Sequence, residues 1–296
     1  MSGDGQDGDE DGLVYHVDGE LVPAGEASVS VRDRGFMYGD AGFETVRVYG
    51  GTPFEWGAHA DRLRRTCETL GFADALPPAA ELRERVVETV EANGFADAYA
   101  KLSVTRGVQP GKLTPGERVD PTIVVIVSEL PRGGVDGERV WDQPASVRTV
   151  ETRRMPDAAI PSHVKTHDYL NGILARLELD GEDEALLLST DGHVTEGTTS
   201  NVFFVADGTL ATPTTDLPLL AGVTRDVVFE LARETGIPVE TGRYAPADLA
   251  AADEVFLTNS TGEVWPVTAL DGTAFEVGPV TRRLREAFDE RVETLY

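Results

Sequence analysis

The chain has 296 residues, with 26 Lys and Arg against 52 Asp and Glu, and its formal charge of −26 disfavours nucleic acid and anionic membranes as partners. Only Lys101, Lys112 and Lys165 are lysine, which leaves 23 arginines, and this lysine-poor, carboxylate-rich make-up suits a halophile's protein kept soluble by salt screening. The single cysteine, Cys67, excludes an intramolecular disulfide and a multi-thiolate metal site, and no apolar run reaches a membrane span or a secretion signal, so a cytoplasmic protein is expected.

Residues 1–12 carry five acids and no base, and read as a disordered acidic tail. A hairpin follows, with Val14–Val17 turning at Asp18-Gly19, and then a strand over Phe43–Tyr49 that turns at Gly50-Gly51. Helices are expected over Ala58–Leu70 and Glu81–Ala92, and strands over Tyr99–Thr105 and Thr122–Val127. The last of these is a continuous apolar run, the pattern of a strand buried on both faces. Together 13–130 form an N-terminal α/β lobe, and the Gly-rich, polar stretch 131–142 is the expected linker.

The C-terminal lobe spans 143–296. It holds a strand at Val147–Val150, a helix at Tyr169–Leu179 with Asp168 as N-cap, and strands at Ala185–Leu188, Val202–Val205 and Leu210–Thr212. A helix over Thr224–Glu234, a short strand at Glu254–Leu257 and a terminal helix over Val280–Val292 complete it. Strands and helices mix without regular βαβ alternation, so the class is α+β in two lobes.

Few residues stand out for chemistry. In an almost lysine-free chain Lys165 lies within SHVKTHDY, and a Schiff-base lysine needs partial desolvation and nearby hydrogen-bonding groups; a surface lysine in a loop is the equal alternative. Glu196 follows a short strand in HVTEGTTSN, where a carboxylate facing a pyridine nitrogen would keep it protonated, although a solvated turn carboxylate fits as well. Leu219–Arg225 runs into a helix whose first N–H groups make an anion site or a plain helix entry. Thr258–Gly262 offers hydroxyls and amides, or simply a polar turn. Arg62 lies beside an apolar helical stripe, where a structural role is the ordinary one. His163 and His167 are four apart, but Pro161 argues against a shared helical face, and no metal site is expected. No GxSxG elbow is present.

Taken in order, Asp33–Asp40 with Phe43-Glu44, His59-x-x-Arg62-Leu63, Lys165 with Tyr169-Leu170, Glu196–Asn201, Gly222–Arg225 and Ala252–Phe256 continuing to Pro266-Val267 resemble the class IV aminotransferases. These are the pyridoxal-phosphate family of branched-chain aminotransferases, D-amino acid aminotransferases and aminodeoxychorismate lyases. The resemblance implies a small N-terminal α/β lobe, a larger C-terminal pseudo-barrel lobe and a homodimer. It implies that Lys165 is the Schiff-base lysine and proton shuttle, that Tyr169 bonds the cofactor's phenolic oxygen and that Glu196 pairs with its ring nitrogen. Arg62, the Val223 and Thr224 amides and Ser260 would hold the phosphate, and Leu220 would pack on the ring. Tyr38, Phe43, Thr45, Lys101, Thr261 and Gly262 would line the substrate site.

The reaction turns on details of the resemblance. Phe43 stands where the D-amino acid enzymes have tyrosine, and the loop Thr105–Leu113 lacks their Arg-x-His clamp. Thr45 and Lys101 stand where branched-chain enzymes typically have glycine and arginine. Lys101 followed by Arg106-Gly107 resembles the lyases, and a lysine facing a pocket suits a dicarboxylic substrate, with a strand-edge lysine in solvent as the equal alternative. The expectation is therefore an aminodeoxychorismate lyase that eliminates pyruvate, with an L-amino acid (branched-chain type) aminotransferase as the alternative. Intact Lys165, Tyr169 and Glu196 argue against a catalytically silent binding protein on the same fold.

Overall fold

In the strand Ala98–Thr105 the fully buried Ala98, Ala100, Leu102 and Val104 alternate with Tyr99, Lys101, Ser103 and Thr105, the period-two pattern of a sheet with one face covered by helices. That sheet organises the first half of the chain. The computed structural model describes residues 12–132 and 143–296; apart from Gly12, the expected acidic tail lies outside them, as does the linker apart from residues 131 and 132. The chain divides into two compact units, one holding 12–132 with Val164–Asp168, the other 143–163 with Tyr169–Tyr296. The class is α+β, as expected.

The first unit contains β1 (Val14–Val17), β2 (Glu20–Pro23), α1 (Arg34–Tyr38), β3 (Ala41–Tyr49), β4 (Thr52–Pro53), α2 (Trp56–Leu70), α3 (Ala79–Ala92), β5 (Ala98–Thr105) and β6 (Ile123–Glu129). Its six strands are antiparallel neighbours in the order β2-β1-β6-β5-β3-β4. Gly50 and Gly51 turn β3 into β4 with φ of 52° and 74°, which glycine adopts without a Cβ clash. Leu63 and Cys67 of α2 and Leu82, Val86 and Val90 of α3 pack with the inner residues of β5 and β6. Burial pushes the Cys67 thiol up to about 12.

β6 departs from the expected two-sided burial. Ile123, Val125 and Val127 are buried, but Ile126 is 37% exposed, because only the α2 and α3 face of this sheet is covered. Val164–Asp168, expected in the C-terminal lobe, groups with the first unit instead. Thr166 bridges Gly42, the Phe43 N–H donates to the Lys165 carbonyl and the His167 N–H to the Ala41 carbonyl, so the segment extends the β3 edge.

The second unit contains β7 (Ala145–Arg153), α4 (Leu170–Arg176), β8 (Glu184–Leu188), β9 (Val194–Gly197), β10 (Asn201–Ala206), β11 (Thr209–Pro213), α5 (Val223–Glu234), β12 (Val239–Gly242), α6 (Pro246–Ala250), β13 (Glu254–Asn259), β14 (Glu263–Leu270), β15 (Thr273–Ala274) and α7 (Pro279–Glu293). Eight strands run β12-β11-β10-β13-β14-β7-β8-β9, and β15 pairs with β14. The sheet curls towards closure: the Val194 N–H of the last strand donates to the Tyr244 carbonyl beyond β12 at the opposite edge. Phe229 of α5 packs edge-on to Phe203, which stacks on Phe256 at 5.1 Å between ring centres. The helix expected over Tyr169–Leu179 is shorter, Leu170–Arg176. Tyr169 takes the N-cap position and Asp168 makes no cap, because the helix starts only after the extended Val164–Asp168 segment has ended.

Candidate active site

Position 44 breaks the apolar pattern of β3. Gly42, Glu44, Val46 and Val48 share one face, and a Cβ on Gly42 would lie 3.2 Å from Leu63 of α2, so that face lies against the helix. Glu44 is therefore a carboxylate at a core position, 1% exposed. Its partners come from α2. Arg62 Nε donates to Oε1 at 2.8 Å and Nη2 to Oε2 at 2.6 Å, a bidentate fork, and His59 Nδ1 lies 2.7 Å from Oε2. Burial alone would raise the Glu44 carboxyl, but the charge and hydrogen bonds of Arg62, with those of His59, hold it down at about 2. Burial lowers the His59 pKa below its ordinary value despite the opposing pull of Glu44, and because the ionised Glu44 carboxylate can only accept, His59 Nδ1–H is the donor.

His59, Arg62 and Thr66 recur at i, i+3 and i+7, a polar stripe beside the apolar one of Leu63, Cys67 and Leu70. Thr66 Oγ1 accepts the Lys165 N–H at 3.1 Å. The half-buried Lys165 thus lies in an extended segment fixed to β3 and α2, not in a free surface loop.

The other face of the sheet gathers the substrate candidates. Phe43 stands opposite Ser103 and Thr45 opposite Lys101. The Lys165 and Lys101 ammonium groups lie 4.5 and 5.0 Å from the Phe43 ring centre, and His167 meets the ring edge-on at 5.5 Å. His167 Nε2 is 3.1 Å from Ser103 Oγ. Lys101 has no ion pair among the described residues, and burial, then the charge of Lys165, lowers its pKa. Burial and the Lys101 charge push His167 down to about 4. Tyr38 ends α1, 39% exposed, with the Arg34 guanidinium 4.9 Å from its ring.

The Asp33–Asp40 motif forms a clasp. Asp33 caps α1 and accepts the Thr105 hydroxyl, while Arg34 and Arg106 both donate to Asp40 at 2.7 Å. Arg34 also donates to the Lys112 and Leu113 carbonyls, which ties down the loop after β5. Lys112 thereby contributes its carbonyl to the clasp.

In the second unit Glu196 lies within β9, not after it, and is 7% exposed. Arg154 Nε donates to its Oε1 at 2.7 Å, and the Leu220 N–H to its Oε2 at 2.9 Å. Asn201 Nδ2 bonds the Leu220 carbonyl at 2.9 Å, so Asn201 and Glu196 together fix the chain that enters α5. A Cβ on Gly222 would collide with Asn201 Oδ1, which explains the glycine. Gly222 offers α5 no side-chain cap, and the buried Val223 and Thr224 have N–H groups without acceptors among the described residues. A twelve-residue helix that starts this way can take an anion. Ser260 follows β13, and the Thr261 and Gly262 N–H groups both donate to Asn259 Oδ1, at 3.0 and 2.5 Å. Glu184, 1% exposed, accepts from Thr198, Thr199 and Ser200 and holds the loop between Glu196 and Asn201.

Each unit therefore brings together part of the candidate set: Phe43, Thr45, Arg62, Lys101 and Lys165 in the first, and Glu196, Leu220, Val223 and Thr224 in the second. Glu44, His59 and Asn201 lie in the motifs that carry the resemblance but had no role assigned to them, and Thr66 and Arg154 were missed. The His59-Arg62-Thr66 spacing was the readable signal for Thr66, and Arg154 had none.

The profile of the family described as amino-transferase class IV matches residues 41–270. A Methanocaldococcus jannaschii protein provisionally named a branched-chain-amino-acid aminotransferase is 39% identical, over 94% of this chain and 96% of its own. The branched-chain aminotransferase of the thermophilic archaeon Thermoproteus uzoniensis, solved with norvaline, superposes with a TM-score of 0.87 at 30% identity, covering 96% of this chain and 95% of that one. The 4-amino-4-deoxychorismate lyase of Pseudomonas aeruginosa superposes with a TM-score of 0.80 at 35% identity, covering 93% and 98%.

Proposed function

Because the chain belongs to the class IV aminotransferase family, we propose that it is a pyridoxal 5′-phosphate enzyme that cleaves 4-amino-4-deoxychorismate to 4-aminobenzoate and pyruvate. The observation that carries the choice of substrate is Lys101, an ammonium lowered by burial, without an ion pair among the described residues, sharing the Phe43 ring with Lys165. A cation in such a place favours a substrate with a second carboxylate and opposes a purely aliphatic side chain.

Bound pyridoxal phosphate acts as an electron sink for the bond that breaks at the substrate. The donor sets fit such a group: a carboxylate fixed in place by Arg154, acceptor-less amides at a helix start, and a half-buried lysine. In the first unit, Lys165 Nζ would hold the cofactor and, once the substrate's amino group has displaced it, would move the proton at the carbon bearing that amino group, and Arg62 would donate to the phosphate. In the second, Glu196 would keep the ring nitrogen protonated, Tyr169 would bond the phenolic oxygen and Leu220 would pack on the ring. The Val223 and Thr224 N–H groups and Ser260 take phosphate oxygens. Tyr38, Phe43 and Thr45 shape the substrate site. Thr261 and Gly262 would lie near a substrate carboxylate. The chain acts as a homodimer in the cytoplasm; no helix among the described residues is long and apolar enough to cross a membrane.

The second reading, transamination of branched-chain L-amino acids, is favoured by the 39% identical relative. Under it Lys101 takes the distal carboxylate of L-glutamate. The purified chain loaded with pyridoxal phosphate is offered aminodeoxychorismate in one cuvette, and L-valine, L-leucine or L-glutamate with a keto acid in another. Pyruvate and 4-aminobenzoate from the first are the expected result; amino-group exchange alone overturns the lyase. Lys165→Ala removes turnover and the visible cofactor absorption. Lys101→Ala lowers kcat/KM for the dicarboxylic substrate by about 10- to 100-fold, the effect of losing a charge-assisted hydrogen bond.

A further inference from the structure

Glu44 is a poor choice if its purpose is only to join β3 to α2. A buried ion pair is often no more stabilising than apolar residues of equal volume, and the neighbouring Val46, Val48 and Leu63 of this layer are apolar. What the carboxylate adds is direction. It grips one edge of the Arg62 guanidinium through Nε and Nη2, which fixes both the plane of the group and its rotation about the side chain. Nη1, on the other edge, is thereby aimed by the fork. His59 donates to the same carboxylate from one helical turn away and stops it rotating about its own axis. A guanidinium on four rotatable bonds loses substantial freedom when it meets an anion, and a group oriented beforehand avoids most of that loss.

We propose that Glu44, assisted by His59, is the positioning residue of a phosphate-binding Arg62, so that the carboxylate acts on cofactor affinity through the arginine and without touching the cofactor. The proposal rests on the reading above that the chain takes pyridoxal phosphate and that Arg62 meets its phosphate. Two effects oppose each other here. The negative Glu44 weakens the pull of Arg62 on a dianion, while the fork raises its directional fit. In a buried site the oriented hydrogen bonds outweigh the pull of a loosely held charge, and net affinity falls when the fork is lost.

The test compares Glu44→Gln with the wild-type chain, titrating each with pyridoxal 5′-phosphate and, separately, with pyridoxal, which lacks the phosphate. A glutamine accepts from one N–H only and turns its own donors on the arginine. Dissociation constants are read from cofactor absorption, and the unfolding midpoint of the cofactor-free chain is measured alongside. The expected result is a rise of about 10- to 100-fold in the dissociation constant of pyridoxal phosphate with that of pyridoxal unchanged. Equal losses for both ligands overturn the proposal in favour of a structural role, and tighter binding of the phosphate form overturns it in favour of simple charge neutralisation. Should Glu44→Gln fail to fold, Glu44→Gln/Arg62→Gln removes both charges and is compared with Arg62→Gln alone. Equal affinity of the two for pyridoxal phosphate supports action through Arg62, and a further loss in the double variant overturns it. A wild-type chain that takes up no pyridoxal phosphate overturns the family-level reading, and this proposal with it.

Discussion

His167 shows how a single side chain couples the sheet to pH. Its imidazole rests on Phe43 and contacts Ser103, and burial, then the Lys101 charge, holds its pKa at about 4 against an ordinary 6.5. Above pH 6.5 both the folded and the unfolded chain carry it neutral, and it adds no pH dependence. Between 6.5 and 4 the unfolded chain takes up a proton that the folded chain refuses, so stability falls as pH falls. His167→Gln should flatten the decline of the unfolding free energy between pH 7 and 4, by about 2 kcal/mol after allowance for partial solvent exposure. An unchanged slope would contradict the assignment. Glu44 acts in a lower window: with its pKa depressed to about 2, its contribution is present above 4.5 and is lost as pH falls towards 2. At this scale the sequence was legible where a residue type is rare. Three lysines made Lys165 and Lys101 conspicuous, whereas Arg154 was hidden among 23 arginines, and Glu44, though part of a motif, showed no role because its importance lies in which groups face it.

Elements were legible where periodicity is strong and illegible where tertiary contact decides. The apolar stripe of α2 and the strand pattern of β3 were readable directly. The course of Val164–Asp168 was not, because its extended form is set by hydrogen bonds to Ala41, Phe43 and Thr66, distant in the chain. β6 read as doubly buried because its apolar run does not say that helices cover one face alone. The start of α5 gives the clearest mutational expectation. Gly222 has an ordinary φ of −78°, so alanine meets no backbone strain there, only the side chain of Asn201. Gly222→Ala should displace Asn201 from the Leu220 carbonyl, cost about 1–3 kcal/mol of stability as overpacking does, and weaken cofactor binding. A thermal melt and a cofactor titration check both effects, and a variant that matches wild type in each would show that the approach of Gly222 to Asn201 is not needed.

For the molecule as a whole, the charge of −26 implies strong self-repulsion at low ionic strength. The screening length falls from about 10 Å at 0.1 M to about 3 Å at 1 M salt, so repulsion between distant surface carboxylates is largely removed while the buried Glu44 pair is little affected. The unfolding midpoint should rise between 0.1 and about 1 M KCl, and a salt-independent midpoint would refute the reading of the surface as adapted to salt. Cys67 gives such experiments a built-in reporter. It is fully enclosed in the core of the first unit, with its thiol pushed up to about 12, so thiol reagents meet no reactive sulfur until that core opens. The rate at which a chromogenic disulfide labels the native chain is therefore a clock for the opening of one unit alone, read without any engineered probe, and a change that stabilises only the second unit leaves it ticking at its original pace.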